Sequence, residues 1–429
     1  MLSNKREKFM PYNVSSLYGL LPKSLASHLY SRTKLITTPA IAAMMISSAA
    51  VAESADIPAA DTNFYFYPQA TGLLDSHTAQ SNAQIEWSLM ATAYSPTQPI
   101  SAFLDDWSAP LDSGDHAYAQ GRTSLEIRPA GSAISYGLGW RYDYLMTFSK
   151  ETAEVYWQYE NKQPSSTSQD YPLFLEAKHN ERFGANIGLT QQLLPNWQLT
   201  TRANLWQGLH ALEGKIVGDL STRVLPNNEV TDIRDSLDKT NAYIDYYYDE
   251  PALGEENLDW NPAKPSGYGY SLDLQLTGQL SDSTQLSLSG YDILGRMRWK
   301  DMPSTRYALD YDVNGRPLYT IEGQLSTDDV TQTLPWRVEG SLQHQLDSQW
   351  QLGLHGQVND IQDLYQLSAG YQTSNDAFPI TVTGLIEPQT QALGLAVDSR
   401  YAGIKLLTDS LDSEKAKRSE ISLYGRYAW

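Results

Sequence analysis

The chain has 429 residues, no cysteine and a formal net charge of −19 at pH 7. This acidity disfavours nucleic acids and other anionic polymers as ligands, and the lack of cysteine excludes disulfide bonds and thiol chemistry. The chain contains 11 tryptophans and 28 tyrosines, yet its mean hydropathy is −0.44. The aromatic residues are therefore distributed along a chain that is polar on average.

The amino-terminal segment predicts a secretory signal. Within residues 1–52, a polar and basic stretch is followed by small apolar residues that end in Ala50-Val51-Ala52. A charged region, a short apolar region and an A-x-A pattern are typical of a cleaved signal peptide rather than a retained anchor. We therefore expect residues 1–52 to be removed on export, and residues 53–83 to form a periplasmic lead-in or a first strand. After residue 52 the sequence contains no run of about 18 apolar residues, so no membrane-spanning helix is predicted there.

Apolar and polar residues alternate along most of the remaining chain. In residues 134–144, for example, Ile134, Leu138 and Trp140 share one face with three tyrosines. Because successive side chains of a strand point to opposite faces, a period of two predicts β-strands. The amino-terminal half predicts strands near 84–94, 119–128, 134–144, 153–160, 182–193 and 197–208, with a possible one at 63–70. The carboxy-terminal half predicts strands near 268–280, 284–293, 336–346, 349–359, 363–373, 379–387, 390–398, 400–408 and 419–429.

Short turns rich in Asp, Asn, Ser and Pro join three pairs of these strands. They lie in residues 192–199, 279–286 and 345–352, and each has strand residues on both sides. Two long segments, 220–266 and 299–334, connect other strands. The turns and the long segments are therefore expected at opposite ends of the predicted sheet.

The last stretch of the chain alternates as a membrane strand would. Its apolar face carries Ile421, Leu423, Tyr427 and Trp429, together with a glycine. This stretch resembles the C-terminal strand of bacterial outer-membrane β-barrel proteins, which their assembly machinery reads as a signal. From the residues alone, the half-buried strand of a soluble periplasmic β-sandwich is the alternative.

The resemblance implies an all-β fold, an antiparallel transmembrane β-barrel of about 14–16 strands over residues 84–429. It also implies short periplasmic turns, with 220–266 and 299–334 as large extracellular loops. The location would be the cell outer membrane of a Gram-negative bacterium. The expected partners are outer-membrane lipids, lipopolysaccharide and, during biogenesis, the barrel assembly machinery. The oligomeric state stays open.

The predicted strands place a mixed set of charged side chains inside the barrel. Two interpretations are open: a constriction whose transverse field selects solutes, or a network of ion pairs that packs the barrel shut. The candidate lumen residues are Glu86, Arg122, Glu126, Arg128, Arg141, Asp143, Glu154, Arg202, Asp273, Arg337, Glu339 and Arg426.

An acidic and aromatic segment lies inside the first long connection. It could bind cations, repel anions from a channel mouth, fold inward as a plug, or simply be a solvated loop bridged to lipopolysaccharide by divalent ions. The sequence lacks the D-x-D-x-D-G calcium spacing and other metal-ligand spacings, so neither a metal site nor a cofactor is predicted. The residues concerned are Asp245, Tyr246, Tyr247, Tyr248, Asp249 and Glu250.

No catalytic constellation is predicted, because the histidines beyond residue 52 lack a neighbouring serine and acid in a motif of a barrel hydrolase. The leading functional hypothesis is a porin-like channel for passive or facilitated passage of a small neutral or cationic solute. The alternative is a closed barrel that acts as a component of an export or surface-assembly system.

Overall fold

A computed structural model describes residues 82–103, 107–163, 167–224, 233, 237–250, 260–311, 317–318, 325–373 and 379–429. The predicted signal, residues 53–81 of the lead-in and the possible strand at 63–70 lie outside these residues. Within the described part of the chain, no helix is long and apolar enough to cross a membrane.

The described residues form one antiparallel sheet of 17 strands with a single α-helix beside it. The strands of the amino-terminal half are β1 (Gln84–Tyr94), β2 (His116–Arg128), β3 (Ile134–Phe148), β4 (Asp170–Leu194), β5 (Trp197–Thr222) and β6 (Leu237–Tyr248). The middle strands are β7 (Ser266–Ser281), β8 (Thr284–Tyr311), β9 (Pro317–Leu318) and β10 (Leu325–Thr333). The last strands are β11 (Arg337–Gln345), β12 (Trp350–Asn359), β13 (Asp363–Gln372), β14 (Ile380–Glu387), β15 (Ala392–Ser399), β16 (Ala402–Thr408) and β17 (Arg418–Ala428). The helix is α1 (Lys150–Glu160), and a 3₁₀ turn covers Ile100–Phe103.

Fourteen of these strands form a closed ring. Most are paired with their neighbours in the chain, while β5 pairs with β7, β8 pairs with β11, and β1 pairs with β17. The last pairing joins Gln84 to Ala428 at one end and Tyr94 to Arg418 at the other. Closure leaves no open sheet edge within the ring, as a lipid environment requires. The prediction of an antiparallel barrel of 14–16 strands is confirmed.

Side chains alternate between the two faces of the ring. Large apolar residues such as Tyr136, Leu138, Leu352 and Leu367 point outward and are exposed, whereas the inward residues are mostly polar and buried. An apolar exterior around a polar interior is the arrangement of a transmembrane barrel. The resemblance to outer-membrane barrels as a class is therefore confirmed at the level of the fold.

One wall of the barrel is much taller than the other. β4 and β5 have 25 and 26 residues, whereas β16 has 7. Beyond the ring, β5 pairs with β6, from Leu212 opposite Tyr248 to Thr222 opposite Leu237. β6 pairs in turn with β8, and β8 pairs with β10. The segments 220–266 and 299–334, predicted as loops, thus contain β6, the end of β8, β9 and β10.

The predicted strand at 153–160 is wrong, because this segment forms α1. Ser149 caps the helix, and its Oγ accepts a hydrogen bond from the Thr152 amide at 3.1 Å. Val155 and Tyr159, four residues apart, pack in one apolar cluster, which places them on one helix face. Glu154 therefore lies on a helix packed against the wall and does not line the lumen.

A bulge in β8 changes the interior of the ring. Opposite three residues of β7, β8 carries five between Gly290 and Arg296. Asp292 and Leu294 adopt left-handed backbone conformations, with φ of 55° and 56°. Their side chains separate: Asp292 is buried inside the barrel, and Leu294 is 79% exposed. The bulge thus inserts a carboxylate into the lumen that strand alternation would not place there.

Candidate functional site in the barrel lumen

The centre of the lumen holds a network of two arginines and three aspartates. Arg182 donates hydrogen bonds to Asp143 at 2.8 Å and to Asp292 at 2.7 Å. Arg141 forms an ion pair with Asp292 at 2.6 Å and binds both carboxylate oxygens of Asp273. The Asp292 amide in turn donates to Asp273 at 3.0 Å. We refer to these five residues as the central network. Because each of its members has two or more partners, it ties β3, β4, β7 and β8 together across the lumen.

An aromatic and methionine cluster covers one side of the central network. The Trp206 ring lies 4.8 Å from the guanidinium carbon of Arg141 and 5.4 Å from that of Arg182, within the range of cation–π attraction. Trp206 also packs with Trp299 and two methionines in a buried cluster. Gly208 allows this packing, since a Cβ there would lie 2.3 Å from the Trp299 ring. The guanidinium groups are thus held by carboxylates and by an aromatic face.

A second network joins the short strands on the other side of the barrel. Arg418 donates to Glu387 at 2.7 Å and to Glu420 at 2.5 Å, and it is fully buried. Lys405 forms an ion pair with Glu420 at 2.6 Å and donates to Gln366 at 2.8 Å. We call these residues the second network. It ties β13, β14, β16 and β17 together.

Further ion pairs lie between the two networks and toward the end with the short turns. Arg202 donates to Glu126 at 2.9 Å. Arg337 forms an ion pair with Glu339 at 2.6 Å and donates to Gln357 at 2.7 Å. All of these side chains face inward, so the interior is largely filled by paired charges.

Arg122 differs from these paired cations. It is 7% exposed, and none of its three guanidinium nitrogens has a hydrogen-bond partner in the structure. Its guanidinium lies over the ring of Tyr291, 3.9 Å from the centroid. Arg141 and Arg337 are nearby cations that act on it, while Glu339 is the nearby carboxylate. A buried cation held mainly by an aromatic ring retains unused donors.

The structure places eleven of the twelve candidate lumen residues on inward positions of the ring, with Glu154 the exception. Arg426 lies over the Tyr424 ring at 4.8 Å, and Glu86 and Arg128 are buried near Arg202. The sequence did not identify Arg182, Asp292, Glu387 and Arg418 as site residues. Arg182 and Glu387 are the terminal residues of the predicted strands 182–193 and 379–387, and Arg418 lies one residue before the predicted strand 419–429. Asp292 depends on the bulge and left no signal in the alternation.

The acidic and aromatic segment belongs to a strand and not to a plug. Tyr246 and Tyr248 are stacked on one face of β6 with ring centroids 4.7 Å apart. On the other face, Tyr247 donates to Glu213 at 2.5 Å and Asp245 accepts from Arg306 at 3.2 Å. These contacts hold the segment in the tall wall. Asp249 and Glu250 follow directly after β6.

The comparisons with known proteins give a family for this chain. The model of a family described as "Family of unknown function (DUF5723)" matches residues 115–407. The chain belongs to this family. The matched residues of the DUF5723 family run from just before β2 to β16, and so include both networks except the part contributed by β17. No curated protein matches the chain.

Among solved structures, this DUF5723 member is similar to a deletion mutant of the monoaromatic hydrocarbon channel TodX, with 14% identity and a TM-score of 0.38 over 82% of this chain and 91% of that one. It is similar to the monoaromatic hydrocarbon channel CymD, with 11% identity and a TM-score of 0.34 over 82% and 89%. It is also similar to the toluene transporter TodX of Pseudomonas putida, with 13% identity and a TM-score of 0.32 over 81% and 89%.

Proposed function

We propose that this protein is an outer-membrane channel that passes a small neutral or cationic solute, and that the networks of its lumen act as the gate. The closed ring, its apolar exterior and its polar interior support a location in the outer membrane. In such barrels the tight turns lie on the periplasmic side. The tall wall would then rise from the cell surface.

The buried ion pairs support a gate rather than a permanently open pore. Arg182, Arg337, Arg418 and Lys405 are each at most 2% exposed, so little water reaches these charges in the described conformation. A solute can pass only if some of these side chains exchange their partners. Such an exchange is available to each of these four cations, because each contacts two carboxylates or side-chain amides.

The observation that carries the proposal is Arg122. A network whose only task is to hold strands together gains nothing from a buried guanidinium without hydrogen bonds, because such a group costs free energy. A channel gains from it, since a passing solute with oxygen atoms can accept those hydrogen bonds transiently. A neutral solute fits best, because Arg122 repels cations and most other charges of the lumen are paired.

Single-channel conductance of the purified chain in planar bilayers tests this proposal, with the variant Arg122→Gln beside the unchanged protein. We expect brief openings of the unchanged protein. Removing one unpaired positive charge should raise the cation-to-anion permeability ratio several-fold, because the local field becomes more negative.

Arg306→Gln is the matched control, because Arg306 lies on the tall wall with its side chain 50% exposed. This control should leave the permeability ratio unchanged. Equal ratios for Arg122→Gln and the unchanged protein would contradict the role of Arg122.

The second candidate is a closed barrel that serves an export or surface-assembly system, and the paired networks favour it as well. This candidate predicts a silent barrel in every variant. It also predicts that Arg122→Gln raises the free energy of unfolding, because an unpaired buried charge is removed. Silence together with higher stability would therefore decide for the closed barrel.

A further inference from the structure

Three metal-ligating side chains meet outside the lumen, where β5 leaves the ring and β6 ends. They are His210, Asp249 and Glu250, and one ligand atom of each lies within 4.8 Å of the others. His210 pairs with Glu181 on the outward face of the sheet, beyond the bulge that separates it from the ring portion of β5. The cluster therefore lies on the outer side of the wall, separate from both networks, and its Glu250 side chain is 43% exposed.

The backbone fixes Asp249 in this cluster. Its amide donates to the Ala211 carbonyl at 3.0 Å, and its Oδ1 accepts from the Ala211 amide at 2.9 Å. These two bonds direct Oδ2 toward the Nδ1 atom of His210, which is 2.7 Å away. Glu250 Oε1 lies 3.9 Å from the same nitrogen. One imidazole nitrogen from the middle of β5 and two carboxylate oxygens from the residues directly after β6 thus converge on one point.

A second histidine lies beside this cluster. His179 occupies the outward position diagonal to His210, and Asp249 and His210 are the charged groups that act on it. Its ring packs against Tyr142 and Tyr144, while its Nε2 atom is buried without a hydrogen-bond partner in the structure. A buried imidazole nitrogen with an unused lone pair or proton indicates a place for a further polar ligand.

We propose that His210, Asp249 and Glu250 bind a divalent transition-metal ion of the zinc class. Zinc takes nitrogen and carboxylate ligands at about 2.0–2.2 Å, so tetrahedral ligand atoms lie roughly 3.3 Å apart. The separations of 2.7 and 3.9 Å from His210 Nδ1 bracket this value. Calcium and magnesium prefer sites made only of oxygen ligands, which this cluster does not provide.

Metal binding would replace the proton that His210 and Asp249 share. The ion bonds to Nδ1 and to Oδ2, and the displaced proton goes to solvent, as is usual when metals bind histidine. The ion would also join the end of β6 to β5 where β5 leaves its pairing with β7. It would stabilise the base of the tall wall.

Isothermal titration of ZnCl₂ into the purified, tag-free, metal-stripped protein in detergent tests the proposal. We expect one site per chain, with proton release that follows the ionisation enthalpy of the buffer. Glu250→Gln should weaken binding at least tenfold, and this variant should fold because its side chain is 43% exposed. His210→Gln should remove binding.

Asp115→Asn provides a matched control. His116 Nδ1 lies 2.7 Å from Asp115 Oδ1, so this pair has the geometry of His210 and Asp249 without a second carboxylate. The control should leave the zinc affinity unchanged. Absence of a site tighter than millimolar, equal affinities for Glu250→Gln and the unchanged protein, or tighter binding of Ca²⁺ than of Zn²⁺ would each overturn the proposal.

Discussion

The contribution of Asp292 to stability can be worked out from its two arginines. Asp292 is 1% exposed. It accepts a hydrogen bond from Arg182 at 2.7 Å and forms an ion pair with Arg141 at 2.6 Å. Asp292→Asn removes the charge but keeps a residue that tolerates the left-handed conformation at φ of 55°. The substitution thus separates the electrostatic contribution from the backbone conformation.

A hydrogen bond to a charged group contributes about 1.5–3 kcal/mol, which gives about 3–6 kcal/mol for two such contacts. Part of this is offset, because Arg182 keeps Asp143 and Arg141 keeps Asp273. We therefore expect Asp292→Asn to lower the free energy of unfolding by about 2–4 kcal/mol. Equilibrium unfolding by guanidinium chloride in detergent micelles, followed by tryptophan fluorescence, measures this loss.

Asp301→Asn supplies the control in the same strand. Asp301 also has a left-handed backbone, with φ of 53°, but its side chain is exposed. The chemical change and the backbone conformation are therefore the same, while the buried arginines are missing. Asp301→Asn should change the free energy of unfolding by less than about 0.5 kcal/mol. If Asp292→Asn changed the free energy of unfolding as little as Asp301→Asn, the central network would not stabilise the barrel in the way described.

Three further predictions concern packing, pH and assembly. Gly208→Ala should lower the free energy of unfolding by about 1–3 kcal/mol, because the added Cβ would lie 2.3 Å from the Trp299 ring. Gly384→Ala is the control: its Cβ would meet nothing within 4 Å, so the same denaturation assay should show no loss of stability. The backbone amides of the turn after β11 hold the pKa of Asp347 below its ordinary value. These hydrogen bonds therefore stabilise the protein fully at a pH above the ordinary pKa of the carboxyl group, and this contribution is lost as the pH falls through the lowered pKa. A carboxyl titration by NMR checks the direction, and a midpoint at or above the ordinary value would contradict it. Trp429→Ser should reduce the amount of protein assembled in outer membranes. Thermal unfolding of the assembled protein should stay nearly unchanged, because the Trp429 side chain is 57% exposed. Equal amounts of the assembled variant and the unchanged protein would refute the predicted assembly signal.

The alternation of side chains predicted the ring well, because lipid outside and charge inside constrain every second position. β1 has the predicted bounds, and the turns between β4 and β5, β7 and β8, and β11 and β12 occur where they were expected. The inward or outward direction of side chains follows from these strands. The lumen residues could therefore be proposed before any contact between them was known.

Alternation failed where another interaction sets the conformation. In α1, Val155, Trp157 and Tyr159 alternate over only one and a half turns, which is too short to separate a strand from a helix capped by Ser149. The bulge at Asp292 has no local signal, because it depends on arginines from distant strands. The upper part of β8 was predicted as a loop, and residues 209–219 of β5 were assigned to no strand, because these segments are polar on one face and covered on the other.

The cluster of His210, Asp249 and Glu250 was invisible for a different reason. His210 is separated from Asp249 and Glu250 by about 40 residues in the chain, and the three meet only through the register that places Leu212 opposite Tyr248. Metal motifs are recognised in sequences when the ligands share one helix or loop. Ligands contributed by the middle of one strand and the end of another leave no such spacing.

The unequal height of the wall gives the mouth of the barrel a direction. Residues 208–222 of β5 continue beyond the last pairing with β7, which corresponds to about 50 Å of strand at roughly 3.3 Å per residue. On the far side, β12 and β13 turn back within residues 360–362. A large particle that approaches the mouth is blocked by the tall wall on one side of the barrel and meets only short strands on the other side. Small molecules that diffuse along the membrane surface would thus reach the barrel from the side of β12 to β17, and a neighbouring macromolecule would touch the protein first at the crest of β4 and β5.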